Sequence, residues 1–285
     1  MPGRKEEIKI RRVETLAEYE SCEQLQKKVW GRQDLQVVPR NQLIAAQLAG
    51  GLLLGAFDKN DNMVGFVYGF PGVMDGKLIH YSHMLGVSPR LWSENIGYRL
   101  KLEQREYALN QGMDLIVWTF DPLEPANAAL NFRKLGVVSD RYEMNLYGIP
   151  PGSRYNDIET DRLVVKWFIR SERVVRRLAG EEVAGPVDLE GVKVNSTFYD
   201  EKAFLKFAGA DLSRQEPYLC FEIPDSFQAL KGEDLEGARD WRVGIRGICL
   251  HYLGRGYQVL DFFTIKTESR RRNFYLLGHK TKFSI

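Results

Sequence analysis

HYSHMLGVSPRLWSENIGYRLKLEQREYALNQGMDLIVWTFDPLEPANAALNFRKLGV, residues 80–137, is the stretch on which the fold turns. Its opening, with Lys77–Ile79 just ahead, is apolar, aromatic and β-branched and is closed by Pro89, which predicts a buried strand ending near Val87. The loop Arg90–Gly97 follows. From Tyr98 to Gly112, Leu100, Leu102, Tyr107, Ala108 and Leu109 sit among Lys101, Glu103, Gln104, Arg105 and Glu106, the mixture of a surface helix stopped by glycine. Met113–Phe120 reads as a second buried strand, since six of its eight residues are apolar and Pro122 lies just beyond. A helical crossover of this length returns the chain in the same direction, so the two strands are parallel. Pro125–Val137 is a short helix capped by Gly136.

Upstream, Ile8–Val13 reads as a strand. Leu16–Trp30 reads as a helix entered through Glu14-Thr15 and left through Gly31. Arg40–Leu48 is a second amphipathic helix, and Leu52–Asp58 and Met63–Phe70 are strands joined by the polar turn Lys59–Asn62. Downstream, the strands Arg141–Tyr147 and Leu163–Arg170 flank Gly148–Arg162, a loop long enough to be a substrate lid or an ordinary excursion. From Ser171 the text becomes charged and is punctuated by glycine and proline, which places a domain boundary at 172/173. Beyond it come a strand at Tyr218–Ile223, a helix at Leu235–Leu253 and strands at Tyr257–Ile265 and Asn273–Leu277. HYLGRGYQVLDFF echoes YALNQGMDLIVWTF, so this second domain reads either as a degenerate half-repeat or as an unrelated unit of the same local order.

A chain of 285 residues exceeds one typical domain. Hydrophobic content of 44% and charged content of 27% are those of a soluble globular protein. Lys plus Arg number 40 against 38 Asp plus Glu, and this balance supplies no bulk charge for nucleic acid or an anionic membrane. Cys22, Cys220 and Cys249 are odd in number and lack CxxC spacing, which speaks for a reducing compartment and against zinc or a disulfide framework. The first ten residues are charged, with no apolar core of a signal peptide. Gly50–Phe57 falls far short of the ~20 residues of a membrane span. The expectation is a cytoplasmic protein without a metal.

The helix after the first strand presents unpaired backbone N–H groups at its start, a place that suits a phosphate. Order and letters together resemble the GNAT N-acyltransferase superfamily over roughly residues 8–170. The carrying motifs are the loop Trp92-Ser93-Glu94-Asn95-Ile96-Gly97, of whose Arg/Gln-x-x-Gly-x-Gly/Ala pattern only the final glycine is kept, and Asn127-Ala128 followed by Asn131-Phe132-Arg133-Lys134-Leu135-Gly136-Val137. Asn95 replaces a loop glycine, and Asn tolerates a left-handed backbone better than other non-glycine residues. Glu94 sets a carboxylate beside the expected diphosphate, and Arg90 and Arg99 are near enough to restore positive charge.

The resemblance implies an α+β fold, a mixed sheet with splayed strands 4 and 5 flanked by helices, to which the text beyond residue 172 adds a smaller C-terminal α/β domain. It implies acetyl-CoA or succinyl-CoA as co-substrate, held by backbone groups of Leu85, Gly86 and Val87, by Trp92, Ser93, Asn95, Ile96, Gly97 and Tyr98, and by Asn127 and Phe132. His83 is the candidate base, with a buried histidine bonded to a carbonyl as its other reading. It shares strand parity with Tyr81, which aligns with the catalytic glutamate of many members, although a bulge would alter the facing; His80 has the opposite parity. The family's thiolate acid is a tyrosine where this chain has Phe132, so Tyr98, Tyr142, Tyr147 or solvent would supply that proton.

Asn127 doubles as a helix N-cap. Asp121 would hold an acceptor ammonium or simply make an Asp-Pro turn. Arg162 would pair with a carboxylate or form, with Asp161, an exposed turn. Arg239, Arg242 and Arg246 read as a solvated helix face, and Gly244 and Gly247 as points of close packing against the first domain. The wider text, including SHMLGV, WTFDP and TDRLVVKW, is similar to a two-domain bacterial subgroup of predicted acetyltransferases, some relatives of which are linked to N-succinylation of amino acids. The expected activity is transfer of an acetyl or succinyl group to the amine of a small molecule such as an amino acid, in an assembly that leaves room for a homodimer. The other reading is a CoA-binding sensor or scaffold without catalysis.

Overall fold

In the computed structural model, residues 7–31, 34–149, 158–181, 188–267 and 270–282 are described. The Pro-Pro-Gly part of the expected lid, 150–157, lies outside them. The chain divides into two compact units, Met1–Trp118 and Thr119–Ile285.

In the first unit, strand β1 (Lys9–Arg12) leads to helix α1 (Leu16–Trp30). Thr15 and Glu18 form a reciprocal capping box at its start, and Gly31, at φ 62°, ends it. Helix α2 (Arg40–Leu48) and strands β2 (Leu52–Phe57), β3 (Met63–Met74) and β4 (Lys77–Val87) follow. β3 runs four residues past the expected Phe70 because Asp75 (φ 50°) and Gly76 (φ 74°) make a two-residue turn whose twist matches the strands. Helix α3 (Ile96–Asn110) returns the chain to β5 (Leu115–Phe120). β1 to β4 pair antiparallel in chain order, and β4 pairs parallel with β5.

Alternation along the strands divides the core. Leu53, Phe66, Tyr68 and Met84 pack with Tyr19, Cys22, Leu25 and Leu43 of α1 and α2. Leu52, Leu54, Val64 and Val67 pack with Ile96 and Leu100 of α3 on the other face. Each such wholly buried side chain contributes about 1.5–3 kcal/mol, which fixes the strand register.

The second unit begins at the end of β5. Helix α4 (Pro125–Ala128) continues as a π-helical stretch, Ala129–Leu135, closed by Gly136 at φ 75°. Strands β6 (Val138–Glu143) and β7 (Arg162–Phe168) pair antiparallel. Helix α5 (Glu172–Leu178) stands where the text suggested a boundary, and Arg173 Nε reaches Gly136 O at 3.2 Å, so contacts cross residue 172 within this unit. The hairpin β8 (Asn195–Tyr199) and β9 (Leu205–Ala210) precedes β10 (Tyr218–Ile223), α6 (Phe227–Glu233), α7 (Leu235–Leu253), β11 (Tyr257–Lys266) and β12 (Arg271–His279).

The echo between the two halves holds for local order. It does not hold for adjacency, because β12 lies between β10 and β11 and is antiparallel to both. Gly244 admits the Phe207 ring of β9, to which an added Cβ would come within 2.5 Å, while Gly247 faces open space; neither packs on the expected first domain. The α+β class and the mixed sheet flanked by helices are as expected. Among the described residues no helix is long and apolar enough to cross a membrane, and no group of three or more His, Cys, Asp or Glu is placed to hold a metal.

Candidate active site

Two local departures from regular pairing make the site in the first unit. Parallel pairing of β4 with β5 is confined to His80 with Ile116 and Tyr81 with Val117. Past those rungs the two strands have no paired rung among the described residues, and β4 continues with β3 alone as far as Val87. This is the splayed fork expected between strands 4 and 5.

The second departure is a bulge. Gly69 opposes Ser82 and Tyr68 opposes Met84, so His83 is the extra residue. The bulge inverts the alternation of β4: His80 and Ser82 face α3 before it, Leu85 and Val87 face α3 after it, and Met84 turns to α1 and α2. Leu85 and Val87 therefore share no face with Met84.

His83 is exposed, so its reading as a buried histidine is replaced. Its ring stands 5.9 Å from that of Tyr68, 6.0 Å from Phe70 and 6.3 Å from Tyr81, and Phe70 and Tyr81 are 5.6 Å apart. The structure thus joins His83 and Tyr81 in one aromatic group beside the fork.

The buried histidine is His80. Its ring is 0% exposed, Gln104 Nε2 donates to its Nε2 at 3.1 Å, and its Nδ1 has no hydrogen-bond partner. Burial, then the charge of Lys101, lowers its pKa to about 4. Gly69 makes the room: a Cβ there would stand 2.3 Å from His80 Nε2 and 2.7 Å from Tyr81 O.

Lys101 lies beside it, 2% exposed. Its Nζ donates to Ser82 Oγ at 2.7 Å and Gln104 Oε1 at 3.2 Å, and sits 3.7 Å from the centroid of the Trp118 ring. Burial pushes this amine well below the ordinary lysine value. Sequence reasoning missed the group, although Lys101, Gln104 and Ala108 recur at three and four residues and so share the inward stripe of α3.

At the fork's outer end Asn95 is left-handed (φ 56°, ψ 21°) and no side chain caps α3. The amides of Ile96 and Gly97 at the first turn have no acceptor within the helix. Pro89–Glu94, which holds Trp92 and Ser93, is a 3₁₀ segment, and the Trp92 indole donates to Val87 O at 2.9 Å, occupying that carbonyl. Gly86 is closed in, since a Cβ would stand 2.8 Å from the Phe66 ring. Ile96 is buried and Tyr98 half-buried. Arg99 donates to Ile8 O at 2.7 Å and Arg90 lies 3.7 Å from Asp58, so neither guanidinium is drawn to the α3 start. The cradle consists of backbone amides.

The remaining candidates belong to the second unit. Asn127 is exposed inside α4 and is not its N-cap, a position held by Glu124 ahead of Pro125. Phe132 is wholly buried between Phe120 and Tyr275, at 6.0 and 5.7 Å between ring centroids. Asp121 makes the Asp-Pro turn, Oδ1 accepting from Leu123 N at 2.9 Å, and is clamped by Arg242 at 3.0 and 2.6 Å with Arg162 at 3.5 Å.

Asp161 is wholly buried rather than an exposed turn residue. It accepts from Tyr142 Oη at 2.8 Å, Asn145 N at 2.9 Å and Arg246 at 2.8 and 2.9 Å. Arg242 and Arg246 are thus internal clamps, not a solvated face. Arg162 donates to Asp161 O at 3.0 Å and lies over Tyr147, whose hydroxyl meets Thr119 Oγ1 at 3.0 Å. Tyr142 is bound to Asp161 and its pKa is driven up by burial, which makes it a poor acid. Glu124, raised by burial and then by Asp121, is a titratable group the sequence did not single out.

No family model matches the chain, and no curated protein matches it in sequence. Among solved structures it is similar to the ribosomal-protein-S18-alanine N-acetyltransferase from Escherichia coli, at 15% identity over 57% of this chain and 94% of that one, with a TM-score of 0.46. It is also similar to an acetyltransferase of the GNAT family from Streptococcus pneumoniae, at 18% identity, 56% and 98% coverage and a TM-score of 0.45. A third likeness is to a GNAT family acetyltransferase from Elizabethkingia anophelis with acetyl-CoA bound, at 17% identity, 56% and 97% coverage and a TM-score of 0.42. Likeness at this level assigns neither activity nor substrate.

Proposed function

We propose that the chain is an acyl-CoA-dependent N-acyltransferase of GNAT type, in which 1–172 bind the acyl donor and 173–285 are accessory. The fork carries this reading: β4 parts from β5 after Tyr81, just ahead of the bulge at His83, leaving a strand edge along which an amide-bearing pantetheine arm can pair. The donor fits at the α3 start, where uncapped amides face a diphosphate and Asn95 supplies the left-handed turn. Gly97 lets the backbone approach, and Asn127 and Phe132 are assigned to the pantetheine side by the family motif alone. The bound thioester supplies the electrophilic carbonyl. Backbone groups of Leu85, Gly86 and Val87 bond the pantetheine arm and polarise that carbonyl, and His83 takes the proton from the attacking amine.

Tyr81 lines the acceptor side next to His83; Arg162, assigned from the sequence alone, is the candidate partner of a carboxylate. Asp121, its charge already engaged by Arg242, holds Arg162. We assign the donor as acetyl-CoA or succinyl-CoA and the acceptor as a small amine such as an amino acid. Three buried free cysteines support a reducing, cytoplasmic setting. The sensor reading is favoured by one feature, the turning of Arg90 and Arg99 away from the cradle.

Calorimetry with CoA, acetyl-CoA and succinyl-CoA, followed by thiol release with a panel of amines, separates the readings. Binding with amine-dependent release is expected. Tight binding with release at background would leave the sensor, and no binding would end both.

A further inference from the structure

Lys101 is a buried amine with no anion beside it among the described residues, and its hydrogen-bond acceptors, Ser82 Oγ and Gln104 Oε1, are neutral. Burying an ammonium in this way costs several kcal/mol by general estimates, more than two neutral hydrogen bonds restore. Its position is as unusual as its burial. The last paired rung of the fork is Tyr81 with Val117, and Nζ lies between Ser82 and Trp118, the next residue on each strand. The amine therefore stands in the crotch of the fork, on the α3 side.

We propose that Lys101 is a catalytic residue that protonates the departing thiolate in the fork, an assignment that rests on the acyltransferase reading above. The amine of the acceptor forms a bond to the thioester carbon. The C–S bond breaks with its electron pair on sulfur, and that pair takes a proton from Lys101 Nζ. The proton shed by the new amide nitrogen goes to His83; His83 then loses it to solvent, and Lys101 regains one from solvent.

Ser82 and Gln104 aim the amine, and the Trp118 face steadies its charged form. His80, joined through Gln104, is the titratable side chain packed against the cluster; its pKa of about 4 keeps it neutral near pH 7, so it adds no competing charge. The lowered lysine pKa brings the proton within easier reach of sulfur. Phe132 has no proton to give and Tyr142 is bound to Asp161.

The test is Lys101→Met read in two ways. In the binary complex with CoA, ultraviolet titration of the thiolate should show the bound thiol ionising at lower pH in the native chain than free CoA, and this shift should vanish in the variant. In turnover, kcat should fall by about 100-fold or more while acetyl-CoA binding changes little, and an aryl thioester, whose thiolate leaves unprotonated, should restore most of the rate. An active native enzyme whose variant keeps kcat and the thiol pKa would overturn the lysine assignment and leave the acyltransferase standing. A native chain that neither binds CoA nor releases thiol would overturn both. If the variant does not fold, the native complex decides alone: a bound thiol ionising at or above the free value refutes the proposal.

Discussion

Acidification should expose the stability held in His80. The ring is wholly buried, its Nε2 accepts from Gln104, and its pKa falls from 6.5 to about 4, chiefly through burial and then through Lys101. A proton on Nε2 would set two N–H donors against each other beside the Lys101 amine. The folded value lies below the unfolded one, so between pH 6.5 and about 4 the unfolded chain binds a proton that the folded chain refuses. The stability is therefore present in full above that window and is lost as pH falls through it. A shift of this size corresponds to about 3 kcal/mol, a large share of the ~5–15 kcal/mol typical of a folded protein. Urea unfolding of the native chain and of His80→Gln, across about pH 4 to 7.5, isolates the term, because carboxylates titrating in the same range cancel in the difference. The substitution carries its own constant offset, so the observable is the change in the difference with pH. Curves that stay parallel within ~0.5 kcal/mol would refute the reasoning.

Gly69→Ala drives a methyl against His80 Nε2 and the Tyr81 carbonyl, and since a backbone oxygen cannot swing aside it should cost about 1–3 kcal/mol in the same urea assay. Gly97→Asp should leave the fold intact, because Asp suits a helix N-terminus, yet weaken CoA binding about tenfold by calorimetry through repulsion of the diphosphate; unchanged binding would place the cofactor elsewhere. His83→Ala should lower turnover about 100-fold with the CoA dissociation constant little altered, and equal losses in both would make His83 architectural. Lys101→Met should raise stability near pH 7, with the gain shrinking toward pH 10, and a melting temperature below the native one at pH 7 would contradict this.

The strand, helix and strand of the organising stretch were legible because each carries its own period and its own stop. Leu235–Leu253 was legible to the residue, since its apolar stripe is long and Asp234 caps it. What the text hid lies where sequence neighbours do not decide the environment. Helix α5 sits in a segment that looked like a linker, because its few inward residues, Val174 and Arg177, make no visible period. The β8–β9 hairpin buries only Asn195 and Leu205 of its strand residues and lacks an apolar run. The arginines of α7 looked solvated because Glu233, Asp234, Glu236 and Asp240 stand near them in the chain, whereas their partners, Asp121 and Asp161, are remote in sequence. In the site, parity linked His83 to Tyr81, but only the bulge explains why Leu85 and Val87 turn the other way.

Lys101 and His80 are the same bargain seen from two sides. Both are titratable groups forced toward neutrality by burial beneath the fork, and Gly69, Ser82 and Gln104 fit around them closely. A leucine at 101 would satisfy the inward stripe of α3 as well and would carry no desolvation cost. Each unit by which the lysine pKa is lowered represents about 1.4 kcal/mol of stability given up below that pKa, recovered only as pH approaches ~10.4. Against this stand the two hydrogen bonds to Ser82 and Gln104, worth about 1 kcal/mol each. The amine's pKa moves down, so burial disfavours its charged form on balance. Packing alone thus argues against a lysine at the one point where β4 and β5 part, and a group that weakens the fold at that point is most simply explained by what enters the fork.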